Sequence, residues 1–258
     1  MVQGEHSPAG DADIAVVGAA VADPGRARIL QAVADGRALP ASVLAAEAGV
    51  APSTASGHLA MLLETGLLRV EQHGRHRYYR LSGPQVGELL ELLSQLSPRR
   101  PIRSLREGTR AEALRSARTC YDHLAGRLGT SLMAAFLERG VLEGGDGGFD
   151  PRRAGRDRLS APGSDVDYRL TERGGEFLSD FGVDFDGMSR TRPLIRYCVD
   201  WSEQRHHLAG ALGAAICDRL FELGWIERMR AGRAVRLTEP GVRGLSERFG
   251  VELERPPG

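Results

Sequence analysis

The stretch Leu39–Leu81, LPASVLAAEAGVAPSTASGHLAMLLETGLLRVEQHGRHRYYRL, constrains this chain more than any other because its hydrophobic period changes once, at Gly66. Ahead of that glycine, Ala55, Leu59, Leu62 and Leu63 recur at i, i+4, i+7 and i+8, which puts them on one buried stripe of a helix. Pro52 suits the first turn of that helix and Gly66 its end. A shorter helix, with Leu44 and Ala48 inward, precedes it across a turn at Gly49–Val50. Beyond Gly66 the period is two. Leu68 and Val70 alternate with Arg69 and Glu71, and Tyr79 and Leu81 alternate with Tyr78 and Arg80. Between these runs lies a basic glycine turn, His73-Gly74-Arg75-His76. Helix, turn, helix and basic hairpin make a winged helix. Its second helix lies in the major groove of duplex DNA, and its hairpin tip reaches phosphates or the minor groove.

At 100° per residue, Ser53, Gly57, Ala60, Met61 and Glu64 face away from the stripe, with Thr54, Ser56 and His58 on its flanks. Ser53, Thr54 and Ser56 sit near the helix N-terminus, which itself favours an anion, and are candidate base and phosphate contacts. His58 is a phosphate contact or a helix-packing histidine, and Arg75, His76 and Arg77 are the wing's candidates. Gly57 has no side chain to read a base, so either the groove is approached closely there or backbone contacts carry more of the affinity. The 34 basic residues are all Arg and are balanced by 34 acidic ones, so the whole-molecule field attracts no nucleic acid. Affinity must come from local charge: Arg69, Arg75, Arg77 and Arg80 against Glu71.

Three motifs here resemble the ArsR/SmtB winged-helix repressors: Ser53-Thr54-x-Ser56-x-His58-Leu59, the Glu64–Leu68 helix close, and Gly74–Leu81. The resemblance covers roughly the first 97 residues. It implies a homodimeric DNA-binding transcription factor, usually a repressor released by an effector. It also implies that the apolar run after Asp13 and the leucine-rich run Pro84–Leu96 form the dimer interface. The family's familiar metal sites are excluded by residue type. Val43–Ala48 holds no Cys-x-Cys, and Gln85–Leu96 offers neither His nor Asp.

Asp23-Pro24 opens a core helix carrying Ile29, Leu30 and Val33, and residues 1 to 11, small and polar, are expected to fray. Ser97–Arg106, with two prolines and four arginines, reads as a boundary between a DNA-binding and dimerisation domain (1–97) and a regulatory domain (98–258). The regulatory half is an internal repeat, about 114–188 and 192–254. His123–Glu143 aligns without gaps to His207–Glu227 with nine identities, and RLTERG (169–174) matches RLTEPG (236–241). LSDFGVD and LSERFGVE follow. Each copy reads as a winged-helix relic. Taking Gly129 and Gly213 as turn glycines, each lies 11 positions from its helix-end glycine, against 17 from Gly49 to Gly66. Six missing residues are about 9 Å of helix, so these copies should lack a reading helix and pack as a pseudo-twofold pair able to enclose a ligand. The expected class is mainly α with small β-hairpins, α+β: a winged helix-turn-helix plus a C-terminal tandem of winged-helix-like repeats.

Two elements in that half could carry chemistry and, since they enter related repeats, could converge on one site. Cys120-Tyr121-Asp122-His123 opens the first copy; Cys198-Val199-Asp200-Trp201 opens the second, followed by His206 and His207. Cys with His suits a cation such as zinc, and a thiolate could instead meet an oxidant or electrophile. Tyr121, Tyr197 and Trp201 could line a small-molecule pocket. A third reading makes the cysteines core residues, with Asp122 and Asp200 capping helices. The spacing matches no metal signature, since His123 follows its Cys by three and His207 by nine. Cys217 looks like core, and no cofactor is required by the sequence. Three widely spaced cysteines make no disulfide framework, and no apolar run approaches membrane-spanning length. With no leader visible, the expected location is cytoplasmic. No phosphate loop, nucleophile elbow or acid pair suggests an enzyme. The competing function is a protein-interaction module without specific DNA binding; the leading one is an effector-released repressor of double-stranded DNA.

Overall fold

The computed structural model describes residues 11–74, 76–98, 101, 104–149, 166–188, 192–229 and 232–253. Asp13 and Asp23 open α1 (Ile14–Ala22) and α2 (Pro24–Ala32), their carboxylates accepting the N–H groups of Ala15 and Arg26. α3 (Ala41–Ala48) stops at Gly49, whose φ of +69° continues no helix, and α4 (Pro52–Glu64) restarts on a proline in its first turn. β1 (Leu39–Pro40), β2 (Leu68–His73) and β3 (His76–Leu81) form an antiparallel sheet in the order β1-β3-β2, with Leu68 opposite Leu81 and His73 opposite His76. α5 (Pro84–Leu96) follows. Ile29, Leu30, Leu44, Leu59, Leu62, Leu68, Leu81 and Leu90 share one core. The period-3.6 and period-2 stripes read from the sequence meet there.

The expected boundary run ends in a helix. Ser104 accepts the Glu107 N–H (3.2 Å) and caps α6 (Leu105–Ser116), a Ser-x-x-Glu start that the reading of this run as a boundary passed over. Two segments of identical element order come next. The first is β4 (Arg118–Cys120), β5 (His123–Ala125), α7 (Gly126–Glu138), β6 (Leu142–Glu143), β7 (Arg169–Leu170) and α8 (Glu172–Asp180). The second is β8 (Arg196–Val199), β9 (His206–Ala209), α9 (Gly210–Glu222), β10 (Ile226–Arg228), β11 (Val235–Leu237) and α10 (Glu239–Phe249). Each strand pair is an antiparallel hairpin. The segments pack reciprocally, α7 on β9 and α9 on β5, around one shared core that includes Leu128, Phe136, Leu212, Leu220 and Phe249.

The shared motifs now have physical meanings. In RLTERG and RLTEPG the Arg-Leu pair ends a strand, and Thr171 or Thr238 caps the next helix. The glycine then lies where a Cβ would come within 2.1 Å of the Val141 carbonyl oxygen or 2.0 Å of that of Trp225. Two expectations are corrected. Gly129 and Gly213 are not turn glycines: they lie inside α7 and α9, against the Leu124 and Leu208 carbonyls, and the turns are made at Gly126 and Gly210 (φ +75° and +82°). Nor is the helix shortened, since α7, α9 and α4 each have 13 residues. What differs is the approach: a hairpin replaces the preceding helix and turn, and the helix is buried along most of its length.

Candidate nucleic-acid interface and a buried cysteine-histidine cluster

On α4, Ser53, Thr54, Ser56, Gly57, Ala60 and Met61 are exposed, while Ala55, Leu59 and Leu62 are buried. The Ser56 hydroxyl donates to the Pro52 carbonyl (3.0 Å), and a Cβ on Gly57 would meet open space. His58 is half-buried and turned toward Asp23 (3.5 Å), the residue that caps α2, so its ring braces two helices. On the wing, Arg69 and Arg80 both reach Glu71 (3.5 and 3.1 Å), which neutralises part of the expected charge. His76 and Arg77 are exposed, the Arg77 guanidinium lying 5.6 Å from the Tyr79 ring centroid. Arg75 lies outside the described residues.

In the second half the fold brings Cys120, His123, Cys198 and His207 together, each offering a ligand atom within 4.8 Å of the others. The unequal spacings in the sequence vanish in register: Cys120 pairs across its hairpin with His123, and Cys198 with His207. Only the turn between the partners changes length. Each half also orients its imidazole with a carboxylate two residues after its Cys. His123 Nδ1 faces Asp122 (3.3 Å) and His207 Nδ1 faces Asp200 (3.4 Å). His123 Nε2 lies 3.7 Å from Cys198 Sγ.

The electrostatics are those of a closed site. His207 is fully buried, and among the described residues neither ring nitrogen makes a hydrogen bond, Nδ1 having only the longer approach to Asp200. Burial pushes its pKa down to about 3 despite the pull of Asp200, so its nitrogens stay free of a proton charge. For His123, burial disfavours charge, yet Cys120 and Asp122 raise its pKa to about 9. A hydrogen bond with Cys198, and then burial, hold the Cys120 thiol well above its ordinary value. Asp200 is also desolvated, but the Arg118 guanidinium (2.9 Å) keeps its carboxyl well below the usual range. Asp200 further accepts the Gly126 N–H (2.6 Å), so it does cap a helix, that of the other repeat.

The remaining residues named for this half go elsewhere. His206 stacks on Tyr197 (centroids 4.2 Å apart), and its Nδ1 lies 2.7 Å from the Tyr168 hydroxyl, away from the cluster. Tyr121 takes a left-handed backbone (φ +59°), bonds through its N–H to the Ala34 carbonyl (2.9 Å) and packs on Gly87 of α5. Trp201 lies under Arg118 (4.6 Å). These three aromatic rings therefore have separate partners and frame no common pocket among the described residues. Cys217 is core, with burial pushing its thiol up. Sequence reasoning missed Glu91, buried on α5, which receives Arg233 and lies 3.9 Å from Arg118. An acid inside a leucine-rich helix is the one signal that could have marked it.

Comparison with known proteins adds four findings. A family described as a helix-turn-helix domain matches residues 21–71. The HTH-type transcriptional regulator YdfF of Bacillus subtilis is 37% identical over 242 residues, covering 93% of this chain and 99% of that protein. The HTH-type transcriptional regulator CmtR of Mycobacterium tuberculosis is 39% identical over 83 residues, 32% of this chain and 70% of its own. Among solved structures, that of the cadmium metal-sensor CMTR from M. tuberculosis is 35% identical, covers 36% of this chain and 99% of its own, and has a TM-score of 0.29.

Proposed function

Because the chain belongs to the helix-turn-helix transcriptional regulators, and its amino-terminal motifs resemble those of the ArsR/SmtB repressors, we propose that it is a homodimeric repressor. It binds double-stranded DNA through residues 1–97 and is released when an effector occupies residues 98–258. The observation that carries this reading is the pairing of an exposed α4 start, Ser53-Thr54-x-Ser56, with an exposed basic wing. In α7 and α9 the corresponding helix is buried, so reading falls to α4 alone.

Two half-sites one helical turn apart need two recognition helices, and the apolar surface supports a dimer. Ile14 and Val16 on α1 are 82% and 49% exposed, and Leu96 at the end of α5 is 68% exposed. Two separate cores, one from Ala20 to Leu90 and one from Ala117 to Val251, support the division of labour. No helix among the described residues is long and apolar enough to cross a membrane. A chromosome-binding repressor would act in the cytoplasm.

Mobility-shift titration with the fragment carrying the protein's own promoter tests the reading. Specific retardation at moderate salt is expected, and Arg75→Ala with Arg77→Ala should lower both the affinity and its salt slope, by roughly one unit per lost phosphate contact. Absence of specific retardation would overturn it.

A further inference from the structure

We propose that Cys120, His123, Cys198 and His207 form a tetrahedral site for one divalent cation of the zinc type, and that this cation is the effector. The second clause rests on the repressor reading above; the first does not. Two thiolates and two imidazoles are a ligand set that such cations take, with bonds of about 2.3 Å to sulfur and 2.0–2.1 Å to nitrogen. A tetrahedron of those bonds has edges of roughly 3.3–3.8 Å. The four donors already lie within 4.8 Å of one another, and the His123–Cys198 edge is 3.7 Å. The two carboxylates complete the pattern. Asp122 and Asp200 each face an Nδ1, which leaves each Nε2 for the centre and fixes the ring orientation. His207 presents a fully buried imidazole whose Nε2 makes no hydrogen bond among the described residues, a costly arrangement that a cation would satisfy. On binding, the two S–H bonds and the Nε2–H bond of the cationic His123 give way to three metal–ligand bonds, and the three protons leave to solvent.

The site is connected to the DNA-binding half along a single helix face. On α5, Gly87, Glu91 and Gln95 are spaced i, i+4 and i+8. Gly87 meets Tyr121, the residue between Cys120 and Asp122. Glu91 lies by Arg118, which holds Asp200, and Gln95 donates to the carbonyl of Val199, next to Cys198 (2.7 Å). Drawing the two hairpins onto one ion shortens the distance between their contacts on α5, while the helix's far end offers exposed Leu96 toward a second copy. Cation binding would therefore shift the spacing of the recognition helices.

The test uses the full-length protein, reduced, stripped with chelator and titrated with Co²⁺. The expected result is intense tetrahedral d–d bands with sulfur-to-cobalt charge transfer, saturating at one ion per chain and displaced by Zn²⁺. Cys198→Ser, at a half-buried position, should weaken Co²⁺ binding by more than about 100-fold while circular dichroism stays unchanged; Cys217→Ala should keep the bands. Zn²⁺ should then change promoter-fragment affinity in the parent protein and leave Cys198→Ser unaffected. Absent cobalt bands, or bands that survive Cys198→Ser, would overturn the site. Bands with metal-independent retardation would overturn the effector role. Bands in a protein that retards no fragment would sink the repressor reading and the effector role together, with the cation site standing.

Discussion

Gly57 and Gly129 show how one residue type serves opposite ends. Both lie within 13-residue helices, where glycine costs about 1 kcal/mol relative to alanine. At Gly57 a Cβ would meet nothing, so Gly57→Ala should stabilise the fold by about 0.5–1 kcal/mol in urea unfolding. Gly57→Phe should leave the unfolding midpoint nearly unchanged and abolish promoter retardation, because the ring would stand between α4 and the groove. Full retardation by that variant would mean that this face of α4 does not meet DNA. His58 carries the same lesson in reverse. Helical phase leaves it on a flank, and the neighbour that claims its ring, Asp23, caps another helix whose packing angle no local pattern reports.

Among the elements, α4 and α7 have equal length but different surroundings, and that difference decides which one can read bases. The hairpin ahead of α7 crosses it so closely that Gly129 sits against the Leu124 carbonyl, where a Cβ would approach within 2.4 Å. Gly129→Ala should therefore destabilise the protein by about 1–3 kcal/mol, the opposite sign to Gly57→Ala, despite the same gain in helix propensity. Equal and favourable shifts for both variants would refute the close crossing. Sequence spacing put the departure of the repeats from the amino-terminal domain in a shortened helix, which the equal lengths of α4, α7 and α9 contradict. It misplaced the departure, because a glycine for close approach and a glycine for a turn look alike in one dimension. The capping motifs were more legible, since Asp23-Pro24 acts within one turn of chain.

For the whole molecule, the decisive relation is between two halves that meet on α5. One side of that helix takes Tyr121, Arg118 and Gln95's partner Val199; its end and α1 leave Leu96 and Ile14 exposed. Ile14→Asp with Leu96→Asp should convert a dimer to a monomer in native mass spectrometry and weaken promoter binding, while changing monomer stability little. A dimer of unchanged mass would place the interface elsewhere. The winged helix, its buried stripe and its exposed serines were all legible in the chain, because helix and strand periodicity are local and a buried stripe leaves one outward face. The Cys-x-Asp elements and their histidines were visible too, and their convergence could be posed but not decided: spacings of three and nine residues become equivalent only when each cysteine pairs across a hairpin with its histidine. Separating His207 from His206 likewise required the strand's alternation against a particular core. Convergence of four side chains from two repeats is a property of how the repeats pack, and packing is written in shape complementarity between distant segments rather than in any run of neighbours.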